Sequence, residues 1–171
     1  MNIAICPGSF DPVTLGHIDI LERSSKLFDK VIAVVMVNPT KNPTFSTEER
    51  VALLKKVTKH IPNVEIDSYY GLVADYAKEK GAKTLIKGLR AVSDFEYEFQ
   101  QALANKKLNS ELETMFMVTN QDYMYLSSTV VRQIASFGGD ISQFVPERIK
   151  AEIEERILPK KRKENKIWQL Q

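Results

Sequence analysis

The sequence is poor in the residues that build metal and disulfide scaffolds. Its 171 residues hold one cysteine, Cys6, and two histidines, His17 and His60. One cysteine excludes an internal disulfide framework and points to a reducing compartment, so a cytoplasmic location is expected. Two histidines and one cysteine are too few for a zinc cluster. No apolar run approaches the ~20 residues that span a bilayer, so no membrane contact is expected. Met1 to Gly8 lacks a basic stretch and reads as a first strand, not a secretion signal. A net charge of +2 creates no global field calling for nucleic acid. A three-glycine dinucleotide fingerprint and a Walker A loop are also missing.

What is present is an ordinary soluble balance, 43% apolar and 27% charged. The length suits one domain, expected over residues 1–158. Residues 159–171 form a tail with Lys160, Lys161, Arg162 and Lys163 in a row. Such a run reads as a solvated, mobile end.

Strand-like and helix-like patterns alternate along the chain. Asn2–Cys6 is a β-rich run that ends at the breaker pair Pro7-Gly8. Gly16 to Lys30 follows with helical spacing of Ile18, Leu21, Leu27 and Phe28. Val31–Val37 is almost wholly apolar, as a strand buried on both faces requires. Ser46 and Glu49 form a capping box that opens the next helix. A weaker strand near Val64–Ile66, a helix from Val73 to Lys80 with Gly81 as its cap, and a strand at Thr84–Lys87 come next. Ser93 and Glu96 read as a second capping box before a long helix ending near Leu108. Thr114–Val118 is a fifth strand, and Thr129–Phe137 and Pro146–Leu158 are the last helices. This alternation predicts an α/β, Rossmann-like fold, a five-stranded parallel sheet with helices on both faces.

Ligands in such sheets bind beyond the carboxyl ends of the strands. The segment after the first strand, Gly8-Ser9-Phe10-Asp11-Pro12-Val13-Thr14-Leu15-Gly16-His17, ends at a helix start. Backbone N–H groups there, with the helix dipole, make an anion site, and His17 can aim a ring N–H at a phosphate. A lone Gly-His would more simply be a turn with an incidental histidine. Strand, glycines, histidine and helix in this order favour a phosphate site.

Gly8-Ser9-Phe10-Asp11-Pro12 with Thr14-Leu15-Gly16-His17 resembles the first motif of the nucleotidyltransferase superfamily. Leu126-Ser127-Ser128-Thr129-Val130-Val131-Arg132 resembles its second. Lys87-Gly88-Leu89-Arg90 through Glu98 narrows the resemblance to the phosphopantetheine adenylyltransferases, and the likeness covers residues 1 to about 155. It implies transfer of AMP from ATP to 4′-phosphopantetheine, giving dephospho-coenzyme A and pyrophosphate. By the same resemblance, His17 stabilises the α-phosphate in the transition state, and Arg90 is a second catalytic residue. Ser9, Lys41, Val73 and Lys87 meet the acceptor. Ser9, Phe10, His17, Gly88, Leu89, Arg90, Glu98 and the turn Tyr123, Met124, Tyr125, Leu126, Ser127, Ser128 and Thr129 meet ATP. Lys87 stands where arginine is commoner. No protein metal ligand is assigned, and Mg²⁺ is expected to arrive with ATP. The family is hexameric, and coenzyme A is an expected feedback inhibitor.

Blander readings stand beside these. Lys41 lies in a polar loop, Arg90 and Glu98 are able to pair with other charges, and Asp11 fits a turn residue before Pro12. His60 fits the end of a helix. The nearest rivals are a nicotinate-nucleotide adenylyltransferase, a cytidylyltransferase, or a non-catalytic nucleotide sensor on the same fold.

Overall fold

The computed structural model describes residues 1–40 and 42–158, with Ser93 by its backbone alone. The expected site residue Lys41 and the basic tail 159–171 lie outside the described residues. Five strands, β1 (Ile3–Gly8), β2 (Lys30–Met36), β3 (Val64–Tyr69), β4 (Thr84–Leu89) and β5 (Glu113–Val118), form one sheet in the order β3-β2-β1-β4-β5. Every neighbouring pair is parallel. The helices are α1 (Leu15–Ser25), α2 (Thr47–Thr58), α3 (Val73–Glu79), α4 (Val92–Leu108), α5 (Ser128–Ser136) and α6 (Glu147–Ile157). The expected α/β architecture is therefore present.

The sheet separates two cores. Ala4, Cys6, Val31, Ala33 and Val35 face one side, against apolar residues of α1, α2, α5 and α6. Ile5, Ile32, Val34 and Leu85 face the other, against Ala74, Tyr76 and Ala77 of α3. The period-2 alternation within apolar strands thus feeds both layers.

Local signals explain most boundaries. The Ser46–Glu49 capping box forms as expected, with both reciprocal bonds present. Gly81 takes φ +62° just past α3. Its N–H bonds to Lys78 O, and that of Ala82 to Ala77 O, closing a Schellman motif. Ser93 does not take the N-cap position expected of it. Helix α4 begins at Val92 with Ala91 as its N-cap and no side-chain cap bond. Pairing of β4 with β5 runs as far as Leu89, so the chain turns into α4 earlier than the capping pattern implied.

Strand β1 runs through the breaker pair and ends at Gly8, two residues past the expected end at Cys6. Asn2 C=O accepts from Lys30 N–H, so even-numbered residues of β1 turn their polar groups toward β2 and odd ones toward β4. β1 pairs with β4 only at Ala4 and Ile5. Pro7 therefore lacks its N–H on the side where that ladder has already parted. The strand order reverses between β1 and β4, and their carboxyl ends diverge there. This is the switch point at which parallel sheets open a ligand crevice.

Candidate active site

The turn after β1 is held in an unusual conformation. Phe10 has φ +47°, in the left-handed region. For a bulky residue this costs on the order of 1–3 kcal/mol and persists only where neighbours over-determine it. Its ring is buried, and a Cβ on Gly8 would lie 2.9 Å from Phe10 Cε2. The ring also meets His17 edge-on at 5.0 Å between centroids. Ser9 is exposed beside it.

His17 is the third residue of α1 and belongs to its cap. The Thr14 side chain accepts from the His17 N–H, and Thr14 N–H donates to His17 Nδ1 at 3.0 Å. Nδ1 is therefore an acceptor, and a neutral ring carries its proton on Nε2. Burial, with the Arg90 guanidinium adding to it, pushes His17 down from 6.5 to about 4. At neutral pH the half-buried imidazole is an uncharged Nε2–H donor. The cap does what a carboxylate does in an ordinary capping box, but leaves a directed N–H instead of a charge.

The second and third segments come to the same place. A Cβ on Gly16 would lie 3.6 Å from Tyr123 Cβ and 3.9 Å from Leu126 Cβ. Arg90 Nη1 donates to Leu126 O at 2.7 Å, and Arg90 Nε to Asp94 at 3.2 Å. Ser128 Oγ donates to Pro12 O at 2.7 Å, which spends that hydroxyl on joining the two turns. Ser127 caps α5 by accepting from Val130 N–H. Thr129 Oγ1 accepts from Arg132. Tyr123 is half-buried, Met124 and Tyr125 are exposed, and Leu126 is buried. Tyr125 packs edge-on against Phe144.

On the β4 side, a Cβ on Gly88 would lie 3.2 Å from Ile20, so glycine lets α1 pack against the strand. Leu89 is half-buried. Lys87 Nζ lies 3.2 Å from Glu98 Oε2 of α4, so two residues expected to meet different substrates meet each other. Val73 stands at the start of α3, partly buried against the second core. Among the described residues no group of three His, Cys, Asp or Glu is placed to hold a metal ion, and no described helix is long and apolar enough to cross a membrane.

Residues 5–134 match the family described as Cytidylyltransferase-like. The phosphopantetheine adenylyltransferase of Caldanaerobacter subterraneus subsp. tengcongensis is 58% identical over 156 residues, covering 91% of this chain and 98% of that protein. That of Alkaliphilus metalliredigens is 58% identical over 147 residues, covering 86% and 94%. The chain belongs to the phosphopantetheine adenylyltransferase family. The fold also matches the crystal structure of a putative nicotinate-nucleotide adenylyltransferase from Vibrio parahaemolyticus, with a TM-score of 0.67 at 24% identity, over 91% of this chain and 96% of that one.

Three residues of this family member support the site although the sequence did not mark them as doing so. Buried Asp11 accepts from Thr44 and Phe45 N–H groups, both at 2.9 Å, and its carboxylate lies 3.6 Å from Arg132. Arg132 also donates to the Asp11 carbonyl. Arg50, 4% exposed, donates to Ser9 O at 2.9 Å and to Thr47 Oγ1 at 3.1 Å. Only Arg50 left a readable signal. It stands three and four residues before Leu53 and Leu54, on the buried face of α2, where a surface charge does not belong.

Proposed function

We infer that the protein moves the adenylyl group of ATP onto the phosphate of 4′-phosphopantetheine, releasing pyrophosphate and dephospho-coenzyme A. The observation that carries this reading is the convergence of the Ser9–His17 turn and the Tyr123–Thr129 turn at the β1–β4 opening, joined to each other by Ser128 and to β4 by Arg90. The names of the relatives supply the acceptor.

The chemistry needs little beyond positioning and charge. A phosphomonoester has a second pKa near ~6, so the attacking phosphate is largely dianionic at neutral pH. No general base is required. As an acceptor oxygen attacks the α-phosphorus in line, negative charge redistributes on the α-phosphate oxygens. His17 Nε2–H is the donor for that charge and Arg90 the adjacent cation. Donors fixed in advance stabilise the transition state more than the ground state. Ser9, the Phe10 backbone, Gly88, Leu89, Glu98 and the Tyr123–Thr129 turn hold ATP. Ser9, Lys41, Val73 and Lys87 hold the acceptor. Mg²⁺ carried by the phosphates of ATP would neutralise part of their charge, with no protein ligand assigned to it. The neutral His17 imidazole with the Arg90 guanidinium near it supports that reading.

We further read the protein as a cytoplasmic homohexamer, with coenzyme A as a feedback inhibitor. Support for assembly comes from α4 and β5. Helix α4 exposes Phe95, Phe99 and Leu103, and neighbouring β5 exposes Val118 on the same face of the sheet. An apolar surface of this kind marks an interaction face.

Pyrophosphate release from ATP, with and without 4′-phosphopantetheine, tests the reaction. Release that needs the acceptor, reversed by adding pyrophosphate to dephospho-coenzyme A, is the expected result. Adenylylation of a nicotinate nucleotide in its place would overturn it.

A further inference from the structure

We propose that Arg50 is a positioning residue for ATP, setting the Ser9–Phe10 peptide from behind and lending its charge to the phosphate site. This rests on the reading above that the Ser9–Phe10 turn meets ATP. Arg50 projects from the first turn of α2 into the interior. Its guanidinium makes three bonds, to Ser9 O, to Thr47 Oγ1, and through Nε to Ser46 O at 3.3 Å. All three acceptors are uncharged. None of the ion pairs among the described residues involves Arg50, although buried charges are ordinarily paired.

Ser9 C=O and Phe10 N–H are the two ends of one planar peptide group and point in opposite directions. A guanidinium gripping the carbonyl end fixes where the N–H end points. It also polarises the group, because hydrogen bonds in a low dielectric strengthen one another. The next residue, Phe10, carries the φ of +47° that nothing in its side chain favours. The clamp on Ser9 O and the packing of the Phe10 ring against Gly8 together hold that conformation. The carboxylate that feels the charge of Arg50, Glu48, is exposed and outside ion-pair distance, so the buried cation is matched more fully once an anion binds on the far side of the peptide. Bound ATP supplies that anion.

The planar fork is what reaches Ser9, Ser46 and Thr47 together, so a lysine keeps the charge and loses the geometry. The test compares wild type, Arg50→Lys and Thr47→Val as full chains. ATP affinity is read by calorimetry, KM and kcat for each substrate by steady-state kinetics, and folding by the thermal midpoint. Arg50→Lys is expected to weaken ATP binding about 10-fold while the acceptor KM stays within about two-fold. Thr47→Val, which removes one anchor of the fork, is expected to weaken ATP binding about three- to five-fold. A merely structural arginine would lower the thermal midpoint and leave the folded enzyme's ATP affinity unchanged. Equal ATP affinity in wild type and folded Arg50→Lys overturns the proposal. If Arg50→Lys does not fold, an unchanged ATP affinity in Thr47→Val overturns it instead. Should wild type bind ATP but not adenylylate 4′-phosphopantetheine, the acceptor reading falls, and the ATP affinity ratios still decide the role of Arg50.

Discussion

Helices α1 and α4 both lie against β4, from opposite faces of the sheet, and they are built in opposite ways. α1 buries Ile18, Ile20, Leu21 and Ser24, and Ile20 fits against Gly88. Its cap is closed on both sides, by Thr14 and by His17. α4 is longer, yet leaves Phe95, Phe99 and Leu103 exposed and starts without a side-chain cap. It reaches β4 by a charge pair, Glu98 to Lys87. The contrast separates two tasks. The His17 side is fixed by packing and hydrogen bonds internal to one chain. The Glu98 side rests on an ion pair, on Phe95 packed edge-on against Phe116 of β5, and on an apolar face that stays exposed. Chemistry that depends on preorganisation belongs on the first, and substrate capture that tolerates adjustment on the second.

The largest effect should come from the rigid side. Removing one preorganised donor costs about 10²–10³-fold in kcat elsewhere. His17→Ala is therefore expected to lower kcat by at least about 10²-fold with little change in ATP affinity. Steady-state kinetics with calorimetric ATP binding check this. A near-normal kcat would reduce His17 to a capping residue.

On the adaptable side, Lys87→Ala should raise the acceptor KM roughly 10-fold or more, since a hydrogen bond to a charged group is lost. Lys87→Arg should stay close to wild type, because arginine keeps the charge and both bind phosphate. Acceptor kinetics that do not respond to Lys87→Ala would mean that the ammonium serves only Glu98.

A smaller effect on folding, but a clear one on assembly, is expected from Leu103→Glu. An exposed substitution shifts subunit stability by only about 0.5 kcal/mol. Light scattering should nonetheless show the oligomer dissociating. A hexamer that survives the added charge would place the interface away from α4.

A further effect is on pH dependence. His17 titrates at about 4 in the fold against an ordinary 6.5, so folding favours the neutral ring. Its contribution to stability is complete above pH 6.5 and is lost as pH falls toward about 4. Thermal midpoints between those values should fall less steeply in His17→Gln than in wild type. Identical slopes would show that the ring is not held neutral.

Much of the fold was legible in sequence because its signals are local. The apolar run of β2, the Ser46–Glu49 box and Gly81 each act within a few residues, and each is found as read. Ser93 was not the N-cap because the β4–β5 ladder, a tertiary contact, runs to Leu89 and the chain enters α4 at Val92. Pro7-Gly8 failed as a strand end because the missing N–H faces a gap between strands. Of the candidate site, the segments themselves were readable, Ser9–His17, Lys87–Glu98 and Tyr123–Thr129. Their contacts were not. Arg50 to Ser9 spans 41 residues and Ser128 to Pro12 spans 116.

The sequence by itself determined the order of strands and helices, the absence of a disulfide framework, and which short segments resemble the family's motifs. Periodicity, breakers and motif spacing are properties of neighbouring residues. Only the tertiary structure decided that β1 and β4 part after Ile5, that Arg90 ties β4 to the Leu126 turn, and that Lys87 faces Glu98. The protonation of His17 was also decided there. A histidine in a sequence has an ordinary pKa, and its neutral, Nε2-protonated form comes from burial, from Arg90 and from the Thr14 N–H, which come together only when α1 docks beside β4.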